Sequence, residues 1–165
     1  MRAAADPEKF NLLQATHVGG CRFAASLVVL PQRQRYGRLS PEEAPAFLAT
    51  LERGEIYVPA YRGRPDLPEA MQAAEVAALA WAEERGIAQA HVHIDAVPSA
   101  PPRGGEELRV AARVGGRVLQ LRLRAEALPV NGRCDRLAEG AEPEMTPRWS
   151  LAAIAETMSR GEASK

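Results

Sequence analysis

The spacing of apolar residues changes several times along the chain, and each change predicts an element. Residues 10–16 form a short, mostly apolar lead-in that reads as a strand. Ala25 to Leu30 is almost continuously apolar, with paired valines, and suits a strand buried on both faces. After the polar turn Gln32–Arg35, the stretch Arg35–Leu39 returns as a second strand, giving a hairpin. Ser40-Pro41-Glu42-Glu43 then carries a helix-start signature, with serine at the N-cap, proline at the first helical position and glutamate at N3. Ala44, Phe47, Leu48 and Leu51 mark the apolar face of that helix, and Gly54 ends it. Glu55 to Pro59 is a short extended piece, and Tyr61–Pro65 a Gly/Pro-punctuated loop. A second helix is predicted from Pro68 to about Arg85, capped by Gly86, with Met71, Ala74, Ala78 and Leu79 at helical spacing.

From Ala90 the period becomes two. Val92, Ile94 and Ala96 alternate with His91, His93 and Asp95, which places the second set on one polar face of a strand. Pro98–Gly105 is a loop, and Leu108–Val114 and Arg117–Ala125 form a hairpin closed by Gly115-Gly116. A two-residue turn pairs Ala112 with Leu119, Val110 with Leu121 and Leu108 with Leu123 on one face. Arg109, Arg113, Arg122 and Arg124 then fall on the other. A one-residue slip would bury these arginines, so the register is well specified. Pro129–Thr146 reads as irregular, Pro147–Ile154 as a last strand, and 156–165 as a frayed polar tail.

Length and composition narrow the picture. The 165 residues are enough for one domain, or a small domain with an appendage. Lys+Arg 21 balances Asp+Glu 21, so the chain lacks the basic footprint expected of a nucleic-acid or anionic-membrane binder. The N-terminus has no apolar signal-peptide core, and no apolar run approaches the roughly 20 residues that cross a bilayer. Two cysteines, Cys21 and Cys134, are too few for a disulfide framework, so the expected compartment is the reducing cytoplasm. No nucleophile elbow, phosphate-cradling glycine loop or Ser-His-Asp order supports a hydrolase.

The chemistry concentrates in Thr16-His17-Val18-Gly19-Gly20-Cys21-Arg22-Phe23. Imidazole and thiolate are strong donors to transition metals and iron–sulfur clusters. Gly19 and Gly20 between them allow a tight turn and close approach of the backbone to a bulky ligand. Arg38, Arg62 and Arg64 form a candidate basic rim for docking an acidic redox partner. A weaker metal site is His91, His93 and Asp95, which suits zinc. It resembles part of the His-x-His-x-Asp-His signature of metallo-β-lactamases, with Ala96 in place of the closing histidine.

His17-Val-Gly-Gly-Cys21-Arg-Phe-Ala, followed by Leu27-Val-Val-Leu-Pro31, resembles the second half of the sucrase/ferredoxin-like proteins. Those are thioredoxin-fold ferredoxins in which a His-x-Gly-Gly-His turn supplies two histidine ligands to a 2Fe–2S cluster. The likeness continues through Tyr36-Gly37-Arg38, Pro41–Ala44, Arg62-Gly63-Arg64 and Leu67–Glu75, and loosely to Cys134 and Trp149. It implies an electron carrier rather than a catalyst, with His17 and Cys21 as metal ligands. Cys21 stands where the family has its second histidine, which implies a lower potential than that of a two-histidine relative. The family's two cysteine ligands belong to an N-terminal half, and only sixteen residues precede His17 here.

The resemblance therefore implies half a ferredoxin with an incomplete ligand set. A homo-oligomer, a partner chain or Cys134 would complete that set, since a two-fold axis turns two ligands into four. The expected fold is α+β. It comprises a thioredoxin-like half-domain over 1–88 with a mixed sheet and two helices, an antiparallel β region over 89–155 and a flexible tail over 156–165. A metal-free structural or interaction module built on the same fold is the alternative from a different class.

Overall fold

A computed structural model describes residues 5–16, 18, 23–97, 103–130, 140 and 142–157. The architecture is α+β, with two helices and two antiparallel sheets, divided into compact units over 1–64 and 65–165. No helix among the described residues is long and apolar enough to cross a membrane.

In the first unit, β1 (Leu27–Val29) pairs antiparallel with β2 (Gln34–Tyr36), Leu27 opposite Tyr36, as the expected hairpin. Residues 60–63 run along β2. The Arg62 N–H donates to the Arg35 carbonyl at 2.8 Å, the Arg35 N–H to Gly63 at 3.1 Å and the Gly37 N–H to Ala60 at 3.0 Å.

The predicted capping box forms in the turn ahead of α1 (Ala44–Glu52), whose N-cap is Glu43 instead of the expected Ser40. The Ser40 N–H donates to Glu43 Oε2 at 2.8 Å, and the Glu43 N–H to Ser40 Oγ at 3.3 Å. These bonds hold the turn that precedes the helix, while Gly54 at φ +73 takes the left-handed conformation that ends it. Phe47 and Leu48 are buried. The Phe47 ring meets Tyr36 edge-on at 4.9 Å and Tyr57 at 5.8 Å, and Tyr61 lies 5.6 Å from Tyr36. These aromatics form the centre of the small first core.

The second unit lays α2 (Glu69–Glu83) on a four-stranded sheet ordered β3 (Val92–Ile94), β4 (Glu107–Val114), β5 (Arg117–Val130), β6 (Glu144–Thr157). Ala70, Ala74, Ala77, Ala78 and Ala82 share one buried cluster with Val110, Ala112, Val114, Leu119, Leu121 and Leu123. Side chains this small bring the helix axis close to the sheet, and the larger leucines and valines fill the space from below. The hairpin register is the expected one, Ala112 opposite Leu119, Val110 opposite Leu121 and Leu108 opposite Leu123. Gly115 and Gly116 have φ of +55 and +81, the pattern of a type I′ turn that favours glycine.

Several expectations need correction. The units divide at Arg64/Pro65, ahead of residue 88, because α2 packs on the four-stranded sheet. Every strand pairing among the described residues is antiparallel, so no mixed sheet is formed among them. The lead-in at 10–16 forms no strand.

Of the stretch Pro129–Thr146, expected to be irregular, Pro129 and Val130 continue β5 and pair with Met145 and Glu144 of β6. Beyond the end of β4 this part is a two-stranded ribbon with an open edge, which is where a strand tolerates Pro129. Glu156 and Thr157, expected in the tail, belong to β6 opposite Leu119 and Val118. Residues 158–165 lie outside the described residues.

Candidate functional site

His17, Gly19, Gly20 and Cys21 lie outside the described residues, as does Cys134. The structure does describe where the predicted turn leads. Phe23 follows Cys21 by two positions, and its ring carries the Arg62 guanidinium, whose Cζ sits 3.2 Å from the ring centroid. Arg38 Cζ lies 5.5 Å from the same centroid. Stacking of a cation on an aromatic face at a partly exposed site is worth about 0.5–1 kcal/mol. The Phe23 carbonyl accepts the Arg38 N–H at 2.8 Å and the Ser26 hydroxyl at 3.0 Å, so backbone and ring are both held.

Gly37 makes this approach feasible. A Cβ there would fall 2.8 Å from Arg62 Cδ, 2.8 Å from Phe23 Cβ and 3.1 Å from the Phe23 carbonyl oxygen. Gly63, at φ +88, receives the Arg35 N–H beside Arg62. Two of the three predicted docking arginines, Arg38 and Arg62, are therefore brought together with exposed side chains at one aromatic residue. Arg64 is half-buried.

Beneath this cluster the Tyr36 hydroxyl donates to Gln34 Oε1 at 2.9 Å, and burial pushes its pKa up to about 12. It stays protonated at neutral pH. In the capping box, the Glu43 carboxyl is held below the usual carboxylate range, first by the Ser40 N–H and then by the Ser40 hydroxyl.

The predicted zinc residues are not gathered. His91 ends a 3-10 turn, Gln89–His91, instead of standing in the strand. His93 lies in β3 opposite Arg113, and Asp95 Oδ1 is 3.1 Å from Arg113 Nη2, so the carboxylate is already engaged by a guanidinium. Among the described residues no group of three or more His, Cys, Asp or Glu could hold a metal ion. The expected iron–sulfur ligands, His17 and Cys21, lie outside the residues to which that applies. That donor pair fits an iron–sulfur cluster chemically but supplies only two of the four ligands.

Sequence reasoning missed Phe23 as the platform that gathers the arginines. The available signal was the pairing of glycine with arginine in Gly37-Arg38 and Arg62-Gly63, which lets two backbone segments close on one aromatic ring. No family model, curated protein or solved structure matches this chain.

Proposed function

We propose that the first unit is a thioredoxin-like ferredoxin half-domain that binds a 2Fe–2S cluster through His17 and Cys21 and carries electrons. The remaining two ligands would come from a second copy or a partner chain. The observation that carries this reading is the stacking of Arg62 and Arg38 on Phe23, two residues beyond Cys21. A thiolate-ligated cluster is anionic, and fixed guanidinium groups beside its ligand turn offset that charge while attracting an acidic redox partner. The hairpin followed by α1 supports the same reading, since the strand-strand-helix order is the one the resemblance implies. The cluster would supply one-electron chemistry; the chain would supply two donors, a positively charged rim and a rigid aromatic support.

Anaerobic purification followed by a visible absorption spectrum with iron and sulfide analysis tests the proposal. A red-brown protein with about one iron and one sulfide per chain is the result expected of a cluster shared across a two-fold axis. A colourless, iron-free protein that resists reconstitution, alone and with its co-purifying partner, refutes it and leaves the metal-free interaction module.

A further inference from the structure

The outer face of the four-stranded sheet breaks a local rule of strand pairing. Arg109 on β4 stands directly opposite Arg122 on β5, and like charges so placed repel. Arg124, two residues along β5, is diagonal to Arg109, so three arginines share one patch. All three side chains are exposed, and none of the three guanidinium groups makes an ion pair or hydrogen bond among the described residues. The other arginines of the same sheet are paired: Arg113 with Asp95, Arg117 with Glu156 and Arg148 with Glu69. Arg124 faces Glu107 across the ladder, but Arg109 and Arg122 stand opposed as like charges that the fold itself does not neutralise. Such local conflicts concentrate where a surface meets a ligand.

We propose that this face docks an acidic protein segment in extended conformation, with carboxylates at alternate positions. The repeat matches: Arg122 and Arg124 project from β5 roughly 6.8 Å apart, the spacing of alternate side chains in any extended strand. Arg109 adds a third contact roughly 5 Å across the ladder.

The surroundings favour a protein over a nucleic acid. Glu107 lies opposite Arg124 and Glu126 follows it on β5, so the patch accommodates a short segment with two or three carboxylates, whereas a continuous polyanion with one charge per nucleotide would run on over the two glutamates. The face also presents no aromatic ring among its described strand residues on which a base could stack. This surface belongs to the second unit and needs no metal, so it stands or falls apart from the cluster reading.

The full-length protein is titrated with a fluorescein-labelled peptide of alternating glutamate and serine, and in parallel with a labelled poly(U) oligonucleotide. The peptide should bind, and binding should weaken as ionic strength rises from about 0.01 to 0.15 M. The double variant Arg109→Gln/Arg122→Gln should weaken it at least fivefold, roughly the effect of losing two exposed ion pairs. Arg53→Gln, at a cation paired with Glu55 on the first unit, should leave peptide affinity unchanged. The Arg109→Gln/Arg122→Gln protein should melt no lower than the parent, because it loses a repulsive pair.

Failure of the folded parent to bind the peptide at low salt overturns the proposal. So does equal binding by parent and Arg109→Gln/Arg122→Gln, loss of binding in the Arg53 variant instead, or tighter binding of poly(U) than of peptide.

Discussion

Replacing Glu69 by alanine removes two contacts that join the start of α2 to the edge strand of the sheet. Glu69 Oε1 accepts the Trp149 backbone N–H at 3.3 Å, and Glu69 Oε2 accepts Arg148 Nη1 at 3.1 Å. Hydrogen bonds to a charged group contribute about 1.5–3 kcal/mol when short and dry. At 3.3 Å the first contact is long, so about 1 kcal/mol is appropriate. The ion pair is partly solvated, with Arg148 39% and Glu69 34% exposed, and adds about 0.5 kcal/mol. An acid in the first helical turn adds about 0.3 kcal/mol through the dipole.

Glu69→Ala should therefore cost about 2 kcal/mol. Glu69→Gln keeps an acceptor for Trp149 and should cost about half as much. In about 1 M NaCl, where screening acts over roughly 3 Å, the glutamine variant should approach the parent while the alanine variant retains its backbone loss. Both tryptophans, Trp81 and Trp149, lie in the second unit's core, so urea unfolding followed by tryptophan fluorescence reports on this unit. If Glu69→Ala unfolds within about 0.5 kcal/mol of the parent, or Glu69→Gln is as damaging as Glu69→Ala, a single carboxylate does not join helix to sheet.

Two further perturbations address the first unit, whose core holds all three tyrosines and so gives it a separate near-ultraviolet signal. Gly37→Ala places a methyl group 2.8 Å from both Phe23 and Arg62 and should destabilise this unit by about 1–3 kcal/mol, seen as an earlier loss of tyrosine circular dichroism. Because the Glu43 carboxyl titrates lower folded than unfolded, its contribution is complete above the unfolded value near 4.3 and fades as pH falls through the folded value. Ser40→Ala keeps the backbone N–H that is the larger cause and removes only the hydroxyl, so it should reduce that acid-side slope in part, which urea midpoints across pH 3–7 would show.

Legibility followed the range of the forces involved. The capping box and the Gly115-Gly116 hairpin were readable because each is fixed within a few residues by side-chain-to-backbone bonds or by turn geometry. The face of α2 was readable in part. Ala74, Ala78 and Leu79 are buried as expected, whereas Met71 is only half-buried and Trp81 and Ala82 take larger shares of the contact. The domain boundary was misplaced because nothing local says whether an alanine-rich helix covers the strands before it or those after it. That choice is made by Val110, Leu121 and Leu123, far along the chain. Pairing of Leu128 to Val130 with Glu144 to Thr146 was hidden by Pro129, since sequence alone does not reveal which strand has a free edge. The Phe23 platform was equally invisible, because it depends on Arg38 and Arg62 arriving from two separate segments.

The two cores also differ in what ligand binding would do to them. The second unit buries a continuous apolar cluster between a 15-residue helix and a four-stranded sheet. The first has strands of only three residues each, and an isolated two-stranded hairpin is marginal in water. Its order rests on one short helix, the aromatic contacts of Tyr36 and the arginines stacked on Phe23. A ligand that binds the folded form at the His17–Cys21 turn adds its binding free energy to that unit alone, since linkage acts on the segment that must be folded to bind. Reconstitution with iron and sulfide should therefore raise the tyrosine-monitored transition and leave the tryptophan-monitored one in place. A shift only in the tryptophan signal would show that the turn is not where the metal acts.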